Sequence, residues 1–216
     1  MKFFSYDSPI MSFLAKVADL LLLNMLTLIF SIPLITIGAA TTAAHYTALK
    51  IHREEGHVWR SFWKSFKENL KQSTVIWLIV VLYCIIAVLA CLAYGNVDGK
   101  IARVGQTVIM ATLIFLTLLY AWLMPLQSKF INTIRTTFKN SFYMAIKYFF
   151  RTLLMAILSV LPLGLLFLII FVLRIRGIAI WLAFGISVPI YWCALLYDEI
   201  FEKLEDMVLE NEQIEA

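Results

Sequence analysis

Apolar and polar positions divide this chain into long uncharged runs separated by short basic segments. The runs at about residues 11–33, 74–94, 104–126, 152–173 and 177–197 reach the roughly 18–20 residues needed to cross a hydrocarbon core, and predict five spans. A sixth run, 35–51, is at the bottom of that range. Its alanines and threonines (AATTAAHYTALK) suit close packing within protein better than contact with lipid, so it reads either as a short membrane segment or as a cytosolic helix after the first span. Pro33 should end the first span, and Gly38 should permit the tight reversal that follows.

Between the runs the pattern changes to helical spacing with charge. In 58–73 (VWRSFWKSFKENLKQS), Trp59, Phe62, Trp63, Phe66 and Leu70 form one stripe, and Arg60, Lys64, Lys67 and Lys71 form a second about 100° around the helix. This predicts a helix lying in the membrane interface, its aromatics at the acyl boundary and its cations on anionic headgroups of the lipid bilayer. Residues 129–151 repeat the logic with Phe130, Ile134, Phe138 and Phe142 beside Arg135, Lys139, Lys147 and Arg151. The expected fold is all-α: a polytopic transmembrane helical bundle of five clear spans plus one short membrane segment, with amphipathic interfacial helices. Residues 1–197 form a single transmembrane domain and 198–216 an acidic cytoplasmic tail.

Composition agrees, since a chain 62% hydrophobic and 15% charged cannot hide its apolar surface in one soluble core. The net charge of +4 conceals an asymmetry, because residues 198–216 carry eight acidic side chains against the single Lys203. Lysine and arginine set the orientation. If 35–51 spans, 14 basic residues share one side with the N-terminus, both basic loops and the tail, against 4 opposite; if it does not, the split is 12 to 6. Either count puts the basic loops in the cytoplasm. A cleaved signal peptide competes for the first run, but that run is long for one and is interrupted by Asp19 and Asn24.

Few residues suggest chemistry. Asp19 is a carboxylate well inside a span, costly enough there to be a functional candidate, unless Lys16 three residues earlier neutralises it. Asn24 is expected to bond a neighbouring helix. Pro162 and Pro189 interrupt the last two spans at similar distances from a turn at 174–177, so both breaks fall about 20 Å from it and face each other, as a binding site or hinge or as passive kinks. Each proline leaves a carbonyl, Leu158 or Gly185, that Ser159 or Ser187 could satisfy. Cys84, Cys91 and Cys193 lie in apolar runs, and His45, His52 and His57 have no metal-ligand spacing. No phosphate loop, nucleophile elbow or HExxH is present, so no enzyme, cofactor, metal or nucleic-acid partner is expected.

The segments FFSYDSP, Asp19-Leu20 with Asn24, PLITIGAATTA with Tyr46, Leu49 and Lys50, and then Phe62 with FKENLKQ resemble the YesL family of bacterial membrane proteins. The resemblance is specific over residues 3–73. It implies association with carbohydrate import, through an ABC transporter or sensor kinase as partner, in a family whose biochemical activity is largely unknown. The expected role is therefore an accessory or regulatory component of carbohydrate uptake, with a small solute transporter using the kinked last spans as the alternative.

Overall fold

The computed structural model describes residues 9–95, 99–130, 132–171 and 178–215. Helices run from Pro9–Ser31 (α1), Ile37–His52 (α2), Val58–Gly95 (α3), Lys100–Lys129 (α4), Ile134–Lys147 (α5), Phe149–Phe171 (α6), Ile178–Phe184 (α7) and Ser187–Glu215 (α8), with no strand among the described residues. Five stretches, in α1, α3, α4, α6 and the region Trp181–Met207, are long and apolar enough to cross a membrane. The molecule is an all-α polytopic bundle.

Its centre is α2, which is too short for that group. α2 packs against α1, α3, α4 and α8, and buries residues from Gly38 to Ile51 on every side. Small side chains allow this, because alanine and glycine let four neighbours approach the backbone closely. The threonines satisfy themselves: Thr42 and Thr47 donate to the Gly38 and Ala43 carbonyls at 2.8 Å each. Contact is closest at Gly38, where a Cβ would lie 2.4 Å from the Ser73 carbonyl oxygen and 2.5 Å from Trp77 Cβ. Gly38 thus serves helix contact and not the reversal expected of it. The reversal belongs to Pro33, extended at φ −73° and ψ 109°, and to the 3-10 turn Leu34–Thr36.

At its other end α2 closes with a Schellman motif. The Glu55 amide bonds the Lys50 carbonyl at 2.8 Å and the Glu54 amide bonds Ile51 at 3.3 Å, with Glu54 left-handed at φ 57°. This turn fixes the direction of Arg53.

Two expected boundaries are absent. α3 is one helix of 38 residues, about 57 Å long, so 58–73 is not a separate interfacial helix but the first turns of a spanning one. No helix breaker lies near Ser73. The stripe of that segment divides: Phe62 and Phe66 are buried against Phe30 of α1 at ring distances of 5.5 and 4.9 Å, while Trp59, Trp63 and Leu70 stay exposed. Likewise α8 runs unbroken past Tyr197, so 198–215 is no detached tail. The N-terminal segment 1–8 and the turn 174–177 lie outside the described residues.

Glycine replacements test the packing at α2. Gly38→Ala should destabilise the protein by about 1–3 kcal/mol, because Ser73 is backbone and cannot move aside. Gly164→Ala in α6, where a Cβ meets nothing within 4 Å, should be neutral or stabilise by up to about 1 kcal/mol. Thermal unfolding in detergent separates the two; equal effects would refute the close contact.

Candidate functional site

Two polar assemblies interrupt the apolar bundle. The first is the break between α7 and α8. Ending one helix and starting another inside a membrane leaves amides and carbonyls that water cannot reach. Asn24 of α1 meets this need from across the bundle. Its Nδ2 donates to the Leu182 carbonyl at 2.6 Å, and its Oδ1 accepts from the amides of Ile186 and Ser187 at 2.9 Å each. One fully buried side chain therefore caps both helix ends. Gly185 fits the break because a Cβ there would fall 2.6 Å from both the Trp181 ring and the Trp181 carbonyl.

This geometry changes the reading of the prolines. Pro162 lies inside α6, but Pro189 lies in the first turn of α8, where a missing amide costs little. Neither expected hydroxyl compensates for them: Ser159 donates to Met155 at 2.8 Å, and the buried Ser187 hydroxyl has no partner. The two prolines do line one cavity of about 340 Å³, together with Thr27, Thr41, His45, Tyr120 and Trp181. Its polar groups are mostly engaged. Thr27 donates to Leu23 at 2.7 Å, Thr41 to Ile37 at 2.9 Å, and Trp181 Nε1 to the Pro162 carbonyl at 2.9 Å. Leu158, Leu163, Leu166 and Ile190 supply much of the remaining wall.

The second assembly is an ion cluster where α2 meets α8. Arg53 Nε and Nη2 each lie 2.7 Å from Asp198 Oδ1, and Nη1 lies 3.2 Å from Glu205. Glu205 also pairs with Lys129 of α4, and His52 Nε2 stands 3.2 Å from Asp198. Beside them, Arg151 of α6 meets Glu199 at 2.6 Å. The Arg53 and Asp198 side chains are only 15% and 12% exposed. Burial alone would pull the Arg53 pKa down, but the hydrogen bonds to Asp198 and Glu205 outweigh it and hold the guanidinium above its ordinary value. Sequence reasoning missed this cluster by treating the acidic segment as a free tail. The signal was there: Tyr197, Phe201 and Leu204 carry the apolar spacing of α8 onward, and Asp198, Glu202 and Glu205 share a face beside it.

The other candidates do not converge. Asp19 lines a separate cleft of about 250 Å³ beside the α2–α3 loop, and Lys16 pairs with Glu54 at 2.7 Å instead of neutralising it. Arg60, Lys64, Lys67 and Lys71 are exposed along α3, with Trp59, Trp63 and Leu70 on the adjoining surface. Among the described residues no cluster of His, Cys, Asp or Glu has the arrangement of a metal site.

Asn24→Ala should cost about 3 kcal/mol, since three backbone groups lose their partner, while Asn24→Asp keeps the acceptor and should lose less. Arg53→Met should cost about 3 kcal/mol or more by stranding Asp198, and the double change Arg53→Met with Asp198→Leu should recover much of it. Unfolding in mixed detergent reads both; a double variant no more stable than Arg53→Met would count against the buried pair.

A family described as "Protein of unknown function, DUF624" matches residues 20–90, which take in the second half of α1, all of α2 and α3 up to its last five residues. No curated protein and no solved structure matches the chain.

Proposed function

We propose that this protein is a multi-pass component of the bacterial cell membrane that serves carbohydrate uptake as an accessory or regulatory subunit, and that it is neither the conduit nor an enzyme. The observation that carries this reading is the chemistry of the cavity at the helix break. A sugar site needs convergent donors and acceptors with unspent capacity. Here the Thr27, Thr41 and Ser159 hydroxyls and the Trp181 indole already donate to carbonyls, the nearby amide of Asn24 is committed to the helix ends, and no carboxylate or guanidinium lines the wall. The link to carbohydrate import, and to an ABC transporter or sensor kinase as partner, comes from the resemblance to YesL proteins; the family matched over 20–90 is one of unknown function and names no substrate. The transporter alternative retains one supporting observation, the shared cavity of Pro162 and Pro189.

In the proposed orientation the basic loops, the ion cluster and the C-terminus face the cytoplasm. α1 and α2 then form a hairpin that enters and leaves on that side. The bond from Trp77 Nε1 to the Leu34 carbonyl, at 2.9 Å, supports this, since α3 continues about 27 Å beyond it to Gly95.

Two experiments test the proposal. The purified protein in proteoliposomes should neither bind nor exchange labelled sugars, and should co-purify from native membranes with transporter permease subunits or a histidine kinase. Saturable sugar exchange by the protein alone would overturn the accessory reading. Single cysteines at Gly56 and Lys139, with Cys84, Cys91 and Cys193 replaced, should resist impermeant maleimide in intact cells, whereas one at Gly99 should react; the reverse pattern would overturn the orientation.

A further inference from the structure

The outer face of α5 is unusual for a helix on the surface of a bundle. It buries Thr137 and Ser141 completely, with Met144 and Ala145 beside them, yet leaves Phe142, Tyr143 and Ile146 exposed by 46, 58 and 62%. Phe149 and Phe150 follow, the latter 81% exposed. Ile134 and Phe138 pack on the core, so α5 is apolar on its inner face and also carries Phe142, Tyr143 and Ile146 on its outer one, a surface suited to an apolar surrounding.

The neighbours of α5 give its depth. The Thr137 hydroxyl donates to Gln127 Oε1 at 3.0 Å, and Gln127 Nε2 donates to Gln72 at 2.7 Å and to Asn69 at 3.2 Å. This polar joint lies where the uncharged stretches of α3 and α4 end, next to Lys71 and Lys129, and so marks the membrane surface. Farther along α5, the Phe142 ring packs edge-on against Phe115 at 6.0 Å. Phe115 lies twelve residues, about 18 Å along α4, from Gln127. α5 therefore starts at the surface and lies obliquely across the end of α4, reaching Phe115 through the Phe142 ring, while Tyr148 just beyond its end is back beside Trp122 at 6.2 Å.

Charge follows the same axis. Arg135, Lys139, Phe142 and Ile146 are spaced by four, three and four residues and share one outward face, with two cations toward the start of the helix and apolar residues toward its end, where Lys147 follows on the adjoining face. No ion pair among the described residues engages Arg135 or Lys139. Lys147 sits 5.5 and 5.4 Å from the Tyr143 and Tyr148 ring centres, which leaves Arg135 and Lys139 as the ones open to a ligand.

We propose that α5 is a binding site for an anionic glycerophospholipid, whose phosphate lies against Arg135 and Lys139 and whose acyl chains lie along Phe142, Tyr143 and Ile146. A zwitterionic lipid offers the same chains without net charge, so headgroup charge supplies the selectivity. The interfacial pattern read into 129–151 is thus carried on α5 by Phe142, Tyr143 and Ile146, which face outward.

The test uses the full-length protein in nonionic detergent, with phosphatidylglycerol or phosphatidylcholine of identical chains added before native mass spectrometry. Wild type should retain phosphatidylglycerol several-fold over phosphatidylcholine. Arg135→Gln with Lys139→Gln should abolish that preference, whereas Arg135→Lys with Lys139→Arg, and Lys64→Gln with Lys67→Gln on α3, should keep it. No preference in wild type, or an undiminished preference in the Arg135→Gln, Lys139→Gln variant, overturns the proposal. If that variant melts early, loss of preference in the charge-preserving variant overturns it instead, and retention supports it. Binding of polyglutamate with no preference for phosphatidylglycerol would assign the face to an acidic protein and likewise overturn it.

Discussion

The bundle depends on a helix that has almost no surface of its own. α2 is enclosed by α1, α3, α4 and α8, and that enclosure is possible only because its side chains are small and its hydroxyls close onto its own backbone. In an apolar solvent, burial of apolar area contributes little to association, so close backbone approach and polar contacts must hold the helices together. The Gly38 contact with Ser73 and Trp77 is the extreme case. Around it, the Thr42 hydroxyl lies 2.9 Å from Ser73 Oγ and 3.2 Å from the Met124 sulfur, joining α2, α3 and α4 at one level. Larger residues on α2 would push the neighbours apart and leave these contacts unmade.

A core of this kind sets where polar groups can be tolerated. The α7–α8 break exposes backbone that a straight helix would satisfy internally, and Asn24 is matched to the defect: an amide offers a donor and an acceptor on one planar group, and the break presents a carbonyl on one side and two amides on the other. Aspartate could match it only by holding a proton, and serine carries both functions on a single oxygen. The ion cluster is the charged counterpart in the middle of α8, where the Schellman turn aims Arg53 at Asp198 and Glu205. Both assemblies act on α8.

The fold class was legible because uncharged runs of spanning length have few alternatives. Asn24 was legible for a related reason, since a polar side chain in an apolar helix must bond something. What failed were boundaries and directions. The change from basic to apolar character at Ser73 looked like the end of a helix, but composition changes at a membrane surface without the backbone needing to bend. The stripe of Phe62 and Phe66 looked lipid-facing because periodicity gives a face and not its partner, and Phe30 of a distant segment took it. Asp198 looked like the start of a tail for the same reason. Gly38 suggested a turn because glycine permits one, while its real role, close contact with α3, depends on a register that no local pattern encodes.

These constraints also bear on mechanism. A conduit that alternates its access must rearrange the helices around its site, and each rearrangement breaks the contacts that differ between states. For this molecule the mobile element would be α7–α8, the broken pair next to the cavity. Yet the break is held by three hydrogen bonds from one buried amide, each of which costs about 1–3 kcal/mol if a buried group is left without a partner. The middle of α8 is tied at the same time to the end of α2, the end of α4 and the start of α6. Moving α8 would require both attachments to open together. A helix clamped at two depths is better suited to present a fixed surface than to gate a path, which weighs toward an accessory role and directs attention to the faces that the bundle leaves open.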